Sequence, residues 1–161
     1  MYTPVSKAEI RRQLRTLRNA LSPQERTAHA EAAATVLTGS RYWRDADTIA
    51  VYLAADGELD TNPIIRAARA ENKGLFLPVI LDDNSLLFRE WHADMALVVN
   101  RYGIAEPPET AHSAELPALA LVCVPLVAWD RQGTRLGMGG GFYDRTFADA
   151  DSRGLLVGLG Y

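Results

Sequence analysis

The chain has 161 residues, 48% apolar and 23% charged, with 17 Lys and Arg against 20 Asp and Glu for a net charge of −3. That length suits a single domain over residues 1–161, and the slight acidic excess argues against a protein held to nucleic acid by bulk charge. One cysteine, Cys123, excludes an internal disulfide and a cysteine-built zinc cage, no apolar run reaches the ~18 residues of a membrane helix, and the opening residues lack the pattern of a signal peptide, so a cytoplasmic protein without membrane contact is expected.

From Ser6 the pattern is helical. Ser6 with Glu9 forms a capping box, and Ile10, Leu14, Leu17 and Leu21 repeat at the period of one helix face. A second helix starts at Ser22-Pro23-Gln24-Glu25, with Pro at the first helical position, and ends near Gly39. Residues 48–53 read as a buried strand broken by Asp56-Gly57, and Thr61 caps a helix carrying Ile64 and Ile65. Residues 75–80 form a strand that Pro78 pushes toward an edge or an end. Residues 86–91 answer across the turn Asp82-Asp83-Asn84-Ser85 as a hairpin partner. The almost wholly apolar residues 119–127 read as a central strand covered on both faces. A glycine-rich stretch, a helix from Phe142 and a last strand over residues 155–159 complete the chain. Alternation of strands and helices predicts an α/β fold with a mixed or parallel sheet and helices on both faces.

The chemistry concentrates in Gly133-Thr134-Arg135-Leu136-Gly137-Met138-Gly139-Gly140-Gly141-Phe142-Tyr143-Asp144-Arg145, where five of the chain's 12 glycines fall between the most apolar strand and a helix. Glycine lets backbone N–H groups approach a ligand with no Cβ in the way. Several such groups at a helix start make an anion cradle. Arg135 suits a bidentate phosphate contact, and Asp144 a magnesium ion carried on phosphate oxygens. The stretch is neither a Walker A loop nor the dinucleotide fingerprint, because Phe142 takes the last glycine's place.

Lys7, Arg11, Arg15 and Arg18 border the apolar arc of the first helix, either as a solvated basic edge or as a phosphate-reaching one. Glu58 follows a strand end, where open α/β sheets bind ligands, and reads equally as a turn carboxylate. Tyr102 can stack on a heterocycle or pack locally. Cys123 reads as a core filler, and His29, His92 and His112 have no ligand spacing.

Taken together, Lys7-Ala8-Glu9-Ile10-Arg11, Glu58-Leu59-Asp60-Thr61, Tyr102-Gly103-Ile104-Ala105-Glu106-Pro107 and the stretch from Arg135 to Arg145 resemble the 5-formyltetrahydrofolate cyclo-ligase family over nearly the whole chain. The resemblance implies a three-layer α/β sandwich with a mixed, mostly parallel sheet flanked by helices. It implies ATP-dependent closure of 5-formyltetrahydrofolate to 5,10-methenyltetrahydrofolate with Mg2+ as cofactor. Carried over by position, ATP is expected at Lys7, Arg11, Arg135, Gly137, Met138, Gly139, Gly140, Gly141, Phe142, Tyr143 and Asp144, with Arg135 and Lys7 in catalysis. The folate is expected at Glu58, Tyr52, Tyr102 and Tyr143, and the metal at Asp144 with Asp130 as helper. Met138 stands where the family usually carries an aromatic or basic residue. Family members continue past the position of Tyr161, so this chain is expected to be short at its C-terminus, and a monomer or weak homodimer. The alternatives are a sugar-phosphate isomerase on a similar scaffold and a non-enzymatic nucleic-acid module using the basic first helix.

Overall fold

The computed structural model of the protein describes residues 5–148 and 154–161; residues 1–4, read above for a leader, lie outside them. Helices α1 (Lys7–Asn19), α2 (Pro23–Thr38) and α3 (Arg41–Asp45) precede strand β1 (Thr48–Ala50), and α4 (Asn62–Ala70) leads to β2 (Gly74–Ile80) and β3 (Leu86–Glu90). Short strands β4 (Val98–Val99), β5 (Ala105–Glu106) and β6 (Ser113–Ala114) follow. Then come β7 (Leu121–Pro125), β8 (Ala128–Trp129), β9 (Arg135–Leu136), α5 (Phe142–Thr146) and β10 (Leu155–Leu159).

The central sheet has six strands in the order β10-β7-β1-β2-β3-β6. Strands β10, β7, β1 and β2 run parallel, β3 returns antiparallel to β2, and β6 antiparallel to β3. Side chains alternate across it. Ile49, Val51, Leu75, Leu77, Leu121 and Cys123 pack on one face with Ala34 and Leu37 of α2, Trp43 of α3 and Ile64, Ile65 and Ala68 of α4. Ala50, Phe76, Val122 and Val124 pack on the other face with Phe88, and with Phe147 just beyond α5. Burial pushes the Cys123 thiol up to about 12. This is the expected mixed, mostly parallel sheet flanked by helices, with β7 at its interior.

Several local expectations change. Strand β1 stops at Ala50 rather than Leu53, although Val51 N still donates to Phe76 O at 3.0 Å. Strand β2 is interior, between β1 and β3, despite Pro78. By strand alternation Pro78 faces the side from which β1 has already departed, so its missing N–H leaves no ladder bond unmade. Thr61 does not cap α4: its hydroxyl donates to Tyr52 O at 2.5 Å, and Asp60 Oδ1 accepts from Asn62 N at 2.9 Å instead. Ser22 and Glu25 form the full capping box, whereas Glu9 turns from Ser6 to Arg12 and Gln13. Helix α3, with Trp43 1% exposed, and the ribbons β4–β5 and β8–β9 carried too few residues to show a period.

The largest change concerns α1. Ile10, Leu14 and Leu21 are only half-buried and Leu17 is 64% exposed, while the buried residue of the helix is Arg18. Arg11 and Arg15 turn toward the protein body as far as Ile10 and Leu14 do, and Arg18 farther. A guanidinium tolerates this only where acceptors meet it, and they do: Arg11 Nε donates to Gly137 O at 2.8 Å, and Arg15 and Arg18 both reach Asp56.

A Cβ on Gly154 would lie 1.7 Å from Leu119 O and 2.7 Å from Ala120 O, where β10 enters the sheet beside β7. Gly154→Ala is therefore expected to destabilise the protein by about 3 kcal/mol, read as a lower urea midpoint at unchanged slope. An unchanged midpoint would contradict this account of the strand's entry.

Candidate active site

Strand β1 lies between β7 and β2, and chain order reverses there, the place where open α/β sheets carry their ligand crevice. The structure opens a cavity of about 420 Å³ at that point, lined by Tyr52 and Leu53 after β1, Pro78 and Ile80 at the end of β2, and Pro125 at the end of β7. Its apolar floor exists because β1 leaves the ladder one residue past its end. One wall is the glycine loop from Gly137 to Gly141, with Arg135 and Asp144 beside it. A second wall holds Asp56 and Glu58, and Arg11 also lines the cavity, as do Ile104 and Ala105 from the β4–β5 ribbon.

The loop's backbone demands glycine. Gly139 has φ 106° and Gly141 φ 69°, conformations an L side chain adopts under strain. A Cβ on Gly140 would meet the Phe142 ring at 2.5 Å. Among the described residues, the N–H groups of Gly139, Gly140 and Gly141 donate to no protein acceptor. They stand at the cavity wall as unspent donors, which is the chemistry of an anion cradle.

Arg135 ion-pairs with Asp144 and lies 5.7 Å from the centre of the Tyr143 ring. Tyr143 stacks on Phe147 with ring centres 6.4 Å apart. Burial raises the Tyr143 and Tyr52 phenols well above the usual tyrosine value, so both stay neutral near pH 7. Tyr52 O–H donates to Leu59 O at 2.9 Å, so its hydroxyl is spent on the loop, and Tyr52 lines the cavity. Glu58 Oε2 accepts from Ala55 N at 3.0 Å. Burial raises its carboxyl above the usual glutamate value, against the opposing pull of the Ala55 N–H and Arg18.

Of the residues singled out from sequence, the cavity gathers Arg11, Tyr52, Glu58, Arg135, Gly137, Met138, Gly139, Gly140, Gly141, Phe142, Tyr143 and Asp144. It does not gather Lys7, Tyr102 or Asp130. Lys7 is exposed at the start of α1, one turn before Arg11. Tyr102 is 49% exposed, with the Arg101 guanidinium 5.0 Å from its ring centre, while its ribbon neighbours Ile104 and Ala105 line the wall. Asp130 Oδ1 accepts from Gln132 N and Thr134 N, both at 2.9 Å, closing the β8–β9 turn. Among the described residues no group of three metal-capable side chains forms.

Sequence reasoning missed Asp56, which it took as a strand-breaking turn. Asp56 sits at φ 48° and accepts from Arg15 and Arg18. The hydrogen bond from Arg15 leads the effects that hold its carboxyl below the usual aspartate value. The available signal was the spacing of Arg11, Arg15 and Arg18 on one helix face, too many cations to leave without an acceptor.

The model of the 5-formyltetrahydrofolate cyclo-ligase family matches residues 3–159. The chain belongs to that family. It is 41% identical over 136 residues to the 5-formyltetrahydrofolate cyclo-ligase of Escherichia coli K12, covering 83% of this chain and 75% of the relative. It is 34% identical over 157 residues to that of Haemophilus influenzae, covering 95% and 84%. The solved structure of Aquifex aeolicus 5,10-methenyltetrahydrofolate synthetase superposes with a TM-score of 0.83 at 31% identity, covering 96% of this chain and 77% of that one. The synthetase of Mycoplasma pneumoniae, 19% identical with a TM-score of 0.77 over 98% and 86%, shares the fold.

Because burial favours the neutral acid, folded protein keeps the Glu58 proton to higher pH than the unfolded chain, whose value is near 4.5. Its contribution to stability is therefore complete below that value and lost as pH rises through the raised native one. Glu58→Gln keeps the acceptor for Ala55 and is expected to raise Tm at pH 7 while leaving it nearly unchanged at pH 4. Thermal unfolding at both pH values checks this, and a gap that grows toward acid refutes it.

Proposed function

We propose that this chain catalyses the ATP-dependent closure of 5-formyltetrahydrofolate to 5,10-methenyltetrahydrofolate, with release of ADP and phosphate. The observation that carries this reading is one cavity with unspent glycine amides on one wall and the half-buried Glu58 carboxyl on the other. The amides suit a polyphosphate, Glu58 and the rings of Tyr52 and Tyr143 suit a flat heterocycle with N–H groups, and the relatives' names supply the folate.

The difficulty of the reaction is electronic. An N5-formyl group is amide-like, so its carbon is a weak electrophile and its oxygen a poor leaving group. Transfer of the γ-phosphoryl to that oxygen breaks the bond to the departing ADP and leaves an iminium phosphate. The N10 lone pair attacks the carbon, the N10 proton passes to solvent, and C–O cleavage expels phosphate. Phosphoryl transfer asks a protein for positioning and charge neutralisation rather than a nucleophile. Glycine amides and Arg135 supply fixed donors at the triphosphate. Arg11 anchors the loop through Nε and keeps its Nη groups for phosphate. Lys7, one turn away on an exposed stem, serves an outer phosphate oxygen.

Magnesium retains several waters and takes one or two carboxylates with the substrate's phosphates. The Asp144 carboxylate, with its side chain 77% exposed beside the loop, fits that donor set, whereas Asp130 does not line the cavity. Bound there, the ion would neutralise charge on the transferring phosphoryl. Binding would also exchange Arg135 from Asp144 to phosphate.

The protein, mixed with 5-formyltetrahydrofolate and MgATP, is expected to form the methenyl product, followed by its near-ultraviolet absorbance. No product from folded protein would falsify this function. Arg135→Ala is expected to reduce kcat/KM for ATP about 100-fold with a smaller effect on the KM for folate. Glu58→Ala should act chiefly on folate, and an exchange of the two phenotypes in steady-state kinetics would overturn the assignment of the two walls.

A further inference from the structure

Arg18 lines neither wall of the cavity yet touches both loops that build them. Its side chain is 6% exposed, and Nε and Nη2 donate to Asp56 O at 3.2 and 2.7 Å. Nη2 also reaches Asp56 Oδ2 at 3.0 Å and Met138 Sδ, across in the glycine loop, at 3.6 Å. A buried guanidinium is strongly destabilising unless its donors are met; Asp56 meets them, and the same Nη2 rests against Met138, so a shift of either loop is felt at Arg18.

The helix that carries Arg18 repeats the connection. Arg11, two turns earlier, donates to Gly137 O, and its guanidinium carbon lies 3.6 Å from where a Cβ of Gly139 would stand. Arg15 pairs with Asp56 Oδ2 at 2.8 Å. Arg18 is the buried residue of α1, and these guanidiniums tie the helix to the body by hydrogen bonds. On the other side, Asp56 holds a left-handed backbone at φ 48°, followed by Gly57 at φ 75°. That bend brings Glu58 N to Ala55 O at 2.9 Å and the Glu58 carboxylate to Ala55 N. The position of the Glu58 carboxyl thus depends on a strained residue that Arg15 and Arg18 clamp.

We propose that Arg18, with Asp56, is a positioning residue that couples nucleotide binding at the glycine loop to folate binding at Glu58. The proposal rests on the function above and adds that the two substrates bind cooperatively. Ordering the glycine loop around a polyphosphate fixes Gly137 and Met138, hence α1, hence Asp56 and the Glu58 turn. The second substrate then meets a wall whose conformational freedom has already been surrendered. By linkage the effect is reciprocal.

The test is calorimetric, on the whole chain. The Kd of 5-formyltetrahydrofolate is measured with and without a saturating magnesium complex of a non-hydrolysable ATP analogue, and the reverse titration is run as well. The wild-type protein is expected to show the same ratio both ways, within about 5- to 150-fold. Arg18→Lys keeps the charge but loses the planar fork. It is expected to bring the ratio to within about threefold of unity, well below a typical coupling, while each ligand alone still binds. A merely structural role would lower Tm and weaken each ligand alone with the ratio intact, which overturns the proposal. Ligands that bind the wild type with a ratio of one remove this inference and leave the proposed function standing. Failure of the wild type to bind either ligand removes both.

Discussion

The early departure of β1 from its ladder is the constraint on which the rest of the site depends. After Val51 gives its last hydrogen bond to Phe76, the chain turns out of the sheet, and the side of β2 that it abandons is occupied by Pro78, which has no N–H to lose. A β1 continued to Leu53 would place backbone where the crevice floor now is. Instead Tyr52 and Leu53 become floor, and the Asp56–Glu58 turn becomes wall. Thr61 and Tyr52 tie the turn back with two buried hydrogen bonds, at 2.5 and 2.9 Å, so it leaves the sheet without becoming slack.

The glycine loop works by what it lacks. Side chains at Gly139, Gly140 and Gly141 would strain the backbone or strike Phe142, and among the described residues the three amide hydrogens meet no protein acceptor. The result is a positive surface made almost without formal charge. Formal charge comes from Arg135 and Arg11, both already hydrogen-bonded within the protein, to Asp144 and to Gly137. Such partnered cations are oriented before a ligand arrives, which is the condition for electrostatic preorganisation.

The sequence made the long, strongly patterned elements legible: the paired capping serines, the apolar runs of β1 and β7, the β2–β3 hairpin and the glycine loop all rest on local chemistry. What it hid was decided between distant segments. The apolar arc of α1 has a helical period whether or not a core receives it, and only the acceptors supplied by Asp56 and Gly137, 38 and 126 residues away from their arginines, turn the basic edge inward. Asp56 looked like punctuation because its partners lie on another helix. Asp130 reads as a metal helper by position, and the structure places it outside the cavity, with Oδ1 accepting from two backbone N–H groups of its own turn. Tyr102 stands on a ribbon of two-residue strands, too short to announce which of its neighbours would face the cavity.

Cys123 lies in the middle of β7 at 1% exposure, with its thiol held protonated by burial. Since it is the chain's sole cysteine, the native surface offers nothing for maleimides or disulfide exchange to seize. A cysteine introduced on the outward side of α1 or at the tip of the β8–β9 ribbon would therefore be the single address for a spin label or fluorophore. Distances across the crevice could be followed with no background substitution to make first.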